Sequence, residues 1–455
     1  MGRNVSIFGS VLPIEVVIAC IILLGFCLLA LQLRTLLFLT IVVLFLPSLD
    51  MPMMIAVPAR ILRWAFLVGI VGKGLAANIR TGFRPRPDTK AHRLILLMSV
   101  LVAVSASWSI GPSFTIRQGA MMIVLWVGVY IVLWNSWETE DHLLVVCNTL
   151  FRFAGLLFTV EFVYLVLNIG GVSQGRYSGV FLNPNGLGTA VAFLGPFVYW
   201  KLRTSESGGV QNFAKFLAVV MVISLFQSGS RSGLLGAVVC MGVMFTYVYR
   251  ARIAVLAGFT LVPLLLLLVL SPTLDATVLD DTRFIRAESL AHFSDRLPMW
   301  EKGFEYFLKE PFLGYGFGMN KFVEFGRANT ELLLSLIRTR GANYHNTHLQ
   351  LALDLGLAGV VLLWTFIAVV LRRGLEIYRL ERRSTLNMAG MAFFAAFLAL
   401  TGDSFVHGWM FSPGSSMSIV YFLVAACVMR AYAFTETKSA ELEEDAVAAR
   451  ELVSV

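Results

Sequence analysis

The chain is short of charge. Only 14% of its 455 residues are Asp, Glu, Lys or Arg, while 58% are hydrophobic. Soluble domains run at about 25% charged and about 45–50% apolar, so a water-soluble fold is excluded. The alternating ten-residue strands of a membrane barrel are missing too. A backbone in lipid has to satisfy its own hydrogen bonds, which leaves helices. Cysteine is scarce and poorly placed for chemistry: Cys20, Cys27, Cys147, Cys240 and Cys427 all lie in or beside apolar runs, which argues against a disulfide framework or a cysteine metal cluster. No internal repeat and no H-E-x-x-H motif is legible. The net charge of +8 does not imply nucleic acid, because most basic residues sit in short loops where they set membrane orientation. The opening "MGRNVS" fits a myristoylation pattern that a multi-pass chain does not need. The first apolar run lacks a small-residue cleavage site and reads as a retained span.

What is present is a succession of apolar runs of about 20 residues, each long enough to cross a bilayer as a helix. They fall at 12–31, 36–52, 60–77, 93–107, 115–134, 148–169, 185–200, 213–228, 232–249, 253–270, 348–371, 388–406 and 416–433. Pro47, Pro52 and Pro58 blur the first three. The expected fold is all-α, a polytopic membrane bundle of about twelve transmembrane helices. Residues 1–270 form an N-terminal bundle, 271–347 a long polar segment, 348–433 the last spans and 434–455 an acidic tail. Basic residues gather at 78–93, 201–203, 250–252 and 372–383, all on one side of this map, which is therefore cytoplasmic. The outer side then receives 170–186, 228–233, the 271–347 segment and 406–416. The aromatic stretch from Trp300 to Leu308 has helical period and is broken by Pro311 and three glycines. It reads as a helical cap over the bundle.

Polar groups on the outer side that have no orientation role are the candidates for chemistry. Arg231, in "QSGSRSGLLG", stands between two apolar runs amid Ser230, Ser232 and small glycines. An ionisable group at membrane depth usually faces a bundle interior or water-filled cavity, and a guanidinium in such a nest suits phosphate. Snorkelling to headgroups is the bland alternative. Arg296, in "DRLPMW", and Arg176, in "GRYSGVFLNPNG", fit either surface ion pairing or anion binding. Asn183 or Asn185 is a natural helix cap. "YHNTHLQLAL" places His345 and His348 three residues apart, but a third metal ligand is lacking, so no metal is expected. Asn343 or Asn346 serves as the N-cap there, which leaves the histidines unexplained unless one of them handles a proton. Guanidinium for a diphosphate and neutral imidazole for a hydroxyl proton together suit transfer from a diphosphate leaving group.

Four ordered elements, "GRYSGVFLNPNGLG" (175–188), "SGSRSG" (228–233), "DRLPMWEKGFEYFLKEPFLGYGFGMNKF" (295–322) and "YHNTHLQLALDLGLAG" (344–359), resemble those of the bacterial O-antigen ligases and the related O-antigen and exopolysaccharide polymerases. The resemblance covers roughly residues 170–370. It implies a multi-pass inner-membrane glycosyltransferase, inverting, metal-independent and without cofactor, that works on the periplasmic face with an undecaprenyl-diphosphate-linked glycan. Carried over, Arg231 and Arg296 hold the diphosphate, and His345 orients or deprotonates the acceptor hydroxyl with Asn346 beside it. Arg176, Asn185, Ser230 and Ser232 are further substrate contacts. Asp403 is a candidate carboxylate by location only. The polymerase branch, with a chain-length regulator as a partner, is slightly favoured over a ligase acting on lipid A core or another acceptor. A lipid-linked oligosaccharide flippase or anion transporter is the competing class; it predicts functional charge near the midplane, whereas these groups cluster on one side.

Overall fold

Helices make up nearly all of what the computed structural model describes, residues 4–7, 10–13, 24, 28–50, 53–82, 89–173, 176–249, 287–325, 344–380 and 384–453. The expected span at 253–270, most of that at 12–31, and residues 271–286 and 326–343 of the long polar segment lie outside them. A hairpin of β1 (Asn4–Ile7) and β2 (Ser10–Pro13) comes first, so residues 12 and 13 of the first expected span belong to a strand. The helices α1 (Leu33–Phe45), α2 (Met53–Arg80), α3 (Lys90–Val104), α4 (Pro112–Val127) and α5 (Glu140–Leu167) follow. A π-helical stretch, Gly128–Leu133, extends α4. After the short hairpin β3 (Gly171–Ser173) and β4 (Arg176–Gly179) come α6 (Pro184–Thr204), α7 (Gly208–Ser228) and α8 (Arg231–Tyr249). The cap contributes α9 (Ala287–Lys309), and α10 (Thr347–Arg379), α11 (Thr385–Asp403) and α12 (Ser416–Val453) complete the bundle. Among the described residues, nine helices are long and apolar enough to cross a membrane.

Two helices form the centre. Residues of α11 from Leu386 to Phe397 are buried without exception, and α6 is buried from Leu187 to Trp200 apart from Gly195. The apolar side chains left exposed run along outward faces, as with Leu97, Val100 and Val104 on α3 and Val219, Val222 and Phe226 on α7. That i, i+3, i+7 spacing is a helix stripe turned to an apolar surrounding, which is what lipid supplies. α12 continues through the acidic tail to Val453, where Ala, Glu and Leu give high helix propensity.

Helix ends sort by charge. Trp200 Nε1 donates to Thr385 O (3.3 Å), Arg430 Nη2 donates to Trp137 O (2.6 Å) and Arg203 lies over Tyr249, gathering one basic end. At the other, polar end, Asp50 N donates to Val180 O (2.8 Å), Ile110 N to Tyr315 O (3.0 Å) and Thr347 N to Ser404 O (2.9 Å).

The cap is fastened to the bundle through a break in α10. At Gly356, φ is 63° and ψ is −160°, a conformation essentially restricted to glycine. The break frees backbone groups that lipid cannot satisfy, and the segment after α9 takes them. Tyr315 N and Gly316 N donate to Leu353 O (2.8 Å) and Asp354 O (2.9 Å), while Leu357 N and Ala358 N donate to Pro311 O (2.7 Å) and Phe312 O (3.3 Å). Asp354, 1% exposed, accepts from Asn320 N (2.7 Å) and Asn320 Nδ2 (3.0 Å).

Candidate functional site

The polar end of α6, α8 and α11 is where the candidate residues meet. The link from α7 to α8 is tight. Gly229, at φ 55°, ends α7, and Ser230 Oγ caps α8 by accepting from Gly233 N (3.2 Å). Ser228 Oγ donates to Leu225 O (2.8 Å) and accepts from Ser230 N (3.2 Å). Both serines are fully buried, so the hydroxyl of Ser230 serves the chain turn, whereas Ser232 is only half-buried.

α8 crosses α6 with no side chain between them. A Cβ on Gly233 would lie 2.5 Å from Gly188 Cα, and one on Gly188 would lie 2.4 Å from Ser230 Cβ. Gly236 meets Ala192 and Ala399 one turn lower. One turn higher on the three helices stand Arg231, Thr189 and Asp403. We expect Gly233→Val to separate these helices at a cost of about 1–3 kcal/mol, the usual penalty of overpacking. The melting temperature then falls while the protein stays in the membrane; unchanged thermal stability would contradict the close crossing.

Arg176 hangs from β4 between two helix ends. Its Nε donates to Ser228 O (2.8 Å) and its Nη2 to Asn185 Oδ1 (3.0 Å). Asn183, not Asn185, caps α6, its Oδ1 accepting from Asn185 N (2.8 Å). The hairpin bearing Arg176 is held from below by Glu161 of α5. This carboxylate is fully buried and accepts from Val180 N (3.0 Å). A lone carboxylate inside "LLFTVEFVYLVL" is the signal that should have singled it out.

Asp403 ends α11 and is 6% exposed. Its Oδ1 accepts from His407 Nδ1 (3.0 Å) and its Oδ2 from Trp409 Nε1 (2.9 Å). Thr189 Oγ1 shares its proton between Asp403 Oδ1 (3.1 Å) and the Asn185 carbonyl (2.9 Å). The loop after α11 gathers the remaining partners. Arg296 of α9 donates through Nη1 to Val406 O (3.0 Å), and Thr347 Oγ1 donates to His407 O (2.8 Å). Burial lowers the pKa of the Arg296 guanidinium, and the Asp403 carboxylate opposes that shift.

His345 sits before α10 at φ 48°, in the left-handed region; such strain in a non-glycine residue is common at functional sites. Burial holds its imidazole below the usual range, and the nearby charges of Arg296 and His407 push the same way. It is therefore neutral near pH 7. Asn346 caps α10, its Oδ1 accepting from His348 N (2.9 Å) and Leu349 N (3.0 Å). His348 points elsewhere: Nε2 lies 3.1 Å from Ser404 Oγ, and the ring packs on Phe405 and Trp364 at centroid distances of 4.2 and 5.3 Å. Among the described residues no three of His, Cys, Asp or Glu stand close enough to hold a metal ion.

The structure thus brings Arg296, His345, Asp403 and His407 together, with Arg231, Thr189 and the Arg176–Asn185 pair at the neighbouring helix ends. His407 had no place in the sequence reading, although the D-x-x-x-H spacing from Asp403 at the outer end of a span was visible. A lateral cavity of about 150 Å³ lined by His92, Ser99, Trp126, Tyr130 and Trp134 lies toward the basic end, away from these groups. Its lining is mostly aromatic and aliphatic.

Residues 216–364 match the family model described as O-Antigen ligase, about a third of the chain. The match takes in Arg231, Arg296 and His345 and ends before Asp403 and His407. No curated protein matches the chain. This match, the ordered motifs around it and the helical bundle that carries them make the chain similar to the O-antigen ligases and polymerases, a superfamily of polytopic membrane proteins.

Proposed function

We propose that the protein transfers a glycan from undecaprenyl diphosphate to an acceptor sugar hydroxyl at the periplasmic face of the bacterial inner membrane. The observation that carries this reading is the meeting of Arg296 and His345 at the polar end of the bundle, where Arg231 opens α8. Arg231 and Arg296 hold the diphosphate and neutralise the charge that develops as the anomeric carbon–oxygen bond breaks. His345, neutral and held beside Arg296, orients the incoming hydroxyl. Attack from the face opposite the leaving group inverts the anomeric centre. Asn346, whose Oδ1 caps α10, keeps His345 at the rim of the site; Arg176, Asn185 and Ser232 line the donor side.

The polymerase reading, in which the acceptor is a second lipid-linked repeat unit, is preferred to ligation onto lipid A core. A strain lacking the protein separates them: single capped repeat units at the surface indicate a polymerase, and intact polymer retained on its lipid carrier indicates a ligase. A flippase would leave both the polymer and its attachment chemically unchanged in a purified assay. Reconstituted protein given only undecaprenyl-diphosphate glycan and acceptor is expected to release undecaprenyl diphosphate in step with product. Absence of release would remove the enzymatic reading. Chelator is expected to leave the rate unchanged, since His348 is engaged by Ser404 and two aromatic rings; a loss restored by zinc would return His345 and His348 to consideration as ligands.

A further inference from the structure

The acceptor hydroxyl loses a proton during transfer, and the fold offers a second imidazole to take it. His407 Nδ1 is bound to Asp403 Oδ1 at 3.0 Å. Because a carboxylate only accepts, that nitrogen carries the hydrogen and the lone pair is left on Nε2. The carboxylate is itself fixed by Trp409 Nε1 at 2.9 Å and by Thr189 of α6, so the ring has one tautomer and one orientation. Its backbone is fixed as well, since His407 O accepts from Thr347 Oγ1. Nε2 is buried and has no hydrogen-bond partner. A buried acceptor without a donor is costly, and a catalytic role is one reason a native fold keeps one. The ring is still 19% exposed, so a small displacement of its neighbours admits a hydroxyl.

We propose that His407, oriented by Asp403, is the base that receives the acceptor proton, and that His345 positions the same hydroxyl. This rests on the glycosyl-transfer reading above. In the step, the acceptor oxygen bonds to the anomeric carbon and its proton passes to His407 Nε2. The anomeric carbon–oxygen bond to the diphosphate breaks, and its electron pair leaves with undecaprenyl diphosphate. The imidazolium so formed is paired with the Asp403 carboxylate, and the nearby cation Arg296 favours return of its proton to solvent after the product departs. Protonation of His345 is opposed by both Arg296 and His407.

The charged and titratable groups facing His407 are Asp403 from α11, Arg296 from α9 and His345 from the segment before α10. A test compares kcat and KM against pH for reconstituted wild type, His407→Gln, His407→Ala, Asp403→Asn, Asp403→Glu and His345→Gln. We expect His407→Gln to lower kcat by about 10²–10⁴-fold, the usual contribution of a general base, with KM for the donor unchanged and the acid limb of the profile lost. Imidazole added to His407→Ala should restore part of kcat, which no packing defect would allow. Asp403→Asn should move the acid limb to lower pH, because the imidazolium loses its counter-charge, and Asp403→Glu should recover part of the rate. An acid limb kept in His407→Gln and lost in His345→Gln would overturn the proposal and give the proton to His345. A wild type without donor-dependent product would instead sink the transfer reading itself, whatever the variants do. If His407→Gln does not assemble, the imidazole rescue and the Asp403→Asn profile decide the matter alone.

Discussion

Arg296→Ala and Arg231→Ala are each expected to lower kcat for glycan transfer by about 10²–10³-fold, the cost of losing one preorganised group aimed at developing charge. In the proposed transfer the departing diphosphate gains negative charge as the sugar leaves. A guanidinium already held by the protein stabilises that charge without reorganising. Arg296 is so held: Nη1 is bound to Val406 O, and its charge is felt by both Asp403 and His345. Arg231 is set by the Gly188–Gly233 crossing, which fixes the first turn of α8. Lysine should not substitute at either position, since a point charge loses the planar fork that grips phosphate. Donor KM should rise less than kcat falls. If both alanine variants turn over at wild-type rate in reconstituted membranes, neither arginine meets the diphosphate.

Gly356→Ala is expected to have the largest structural effect. The backbone there is at φ 63°, and an added Cβ would lie 2.3 Å from the Phe312 carbonyl group. Neither is tolerable, and the chain has a ready alternative. Alanine is the best helix former, so α10 can close its broken turn and make its own i to i−4 bonds. Tyr315 N, Gly316 N, Pro311 O and Phe312 O then lose their partners. The conformation alone costs about 1–3 kcal/mol, and each orphaned group adds about 1–3 kcal/mol where it is buried. We expect faster hydrogen exchange at Tyr315 and Gly316, earlier thermal release of the cap, and loss of transfer with the protein still in the membrane. Slow exchange at both amides in the variant would show that the break does not hold the cap.

These two sites also mark where sequence reading stopped. The ends of α7, α8 and α6 were legible, expected at 213–228, 232–249 and 185–200 and found at Gly208–Ser228, Arg231–Tyr249 and Pro184–Thr204. Each is punctuated locally by a cap or a glycine whose partner lies within a few residues. The helical period from Trp300 to Leu308 was legible as well, although α9 begins earlier, at Ala287, and passes through Pro298. The break in α10 was not legible. Gly356 in "LDLGLAG" is compatible with a continuous helix, and only the distant "PFLGYGFG" supplies the hydrogen bonds that make a break stable. His407 was missed for a related reason. Its partner is four residues away, but its setting depends on Thr347, which binds its carbonyl, on Arg296, which binds the neighbouring Val406, and on the nearby His345, all from distant parts of the chain. Asn346 was assigned two roles, and its Oδ1 is occupied by the helix cap.

The loop after α11 has one more consequence, in the order of synthesis. Asp403, His407 and Trp409 join groups that were made much earlier: Thr189 on α6, Arg296 on α9 and Thr347 on α10. Until α11 and α12 have entered the bilayer, Thr189 and Arg296 lack these partners and nothing seats Thr347 against Ser404. On the proposed function, a half-made chain therefore carries Arg231 and Arg296 before the place for the acceptor is assembled. On that reading the site is completed only at the last stage of insertion, when the loop after α11 reaches its partners.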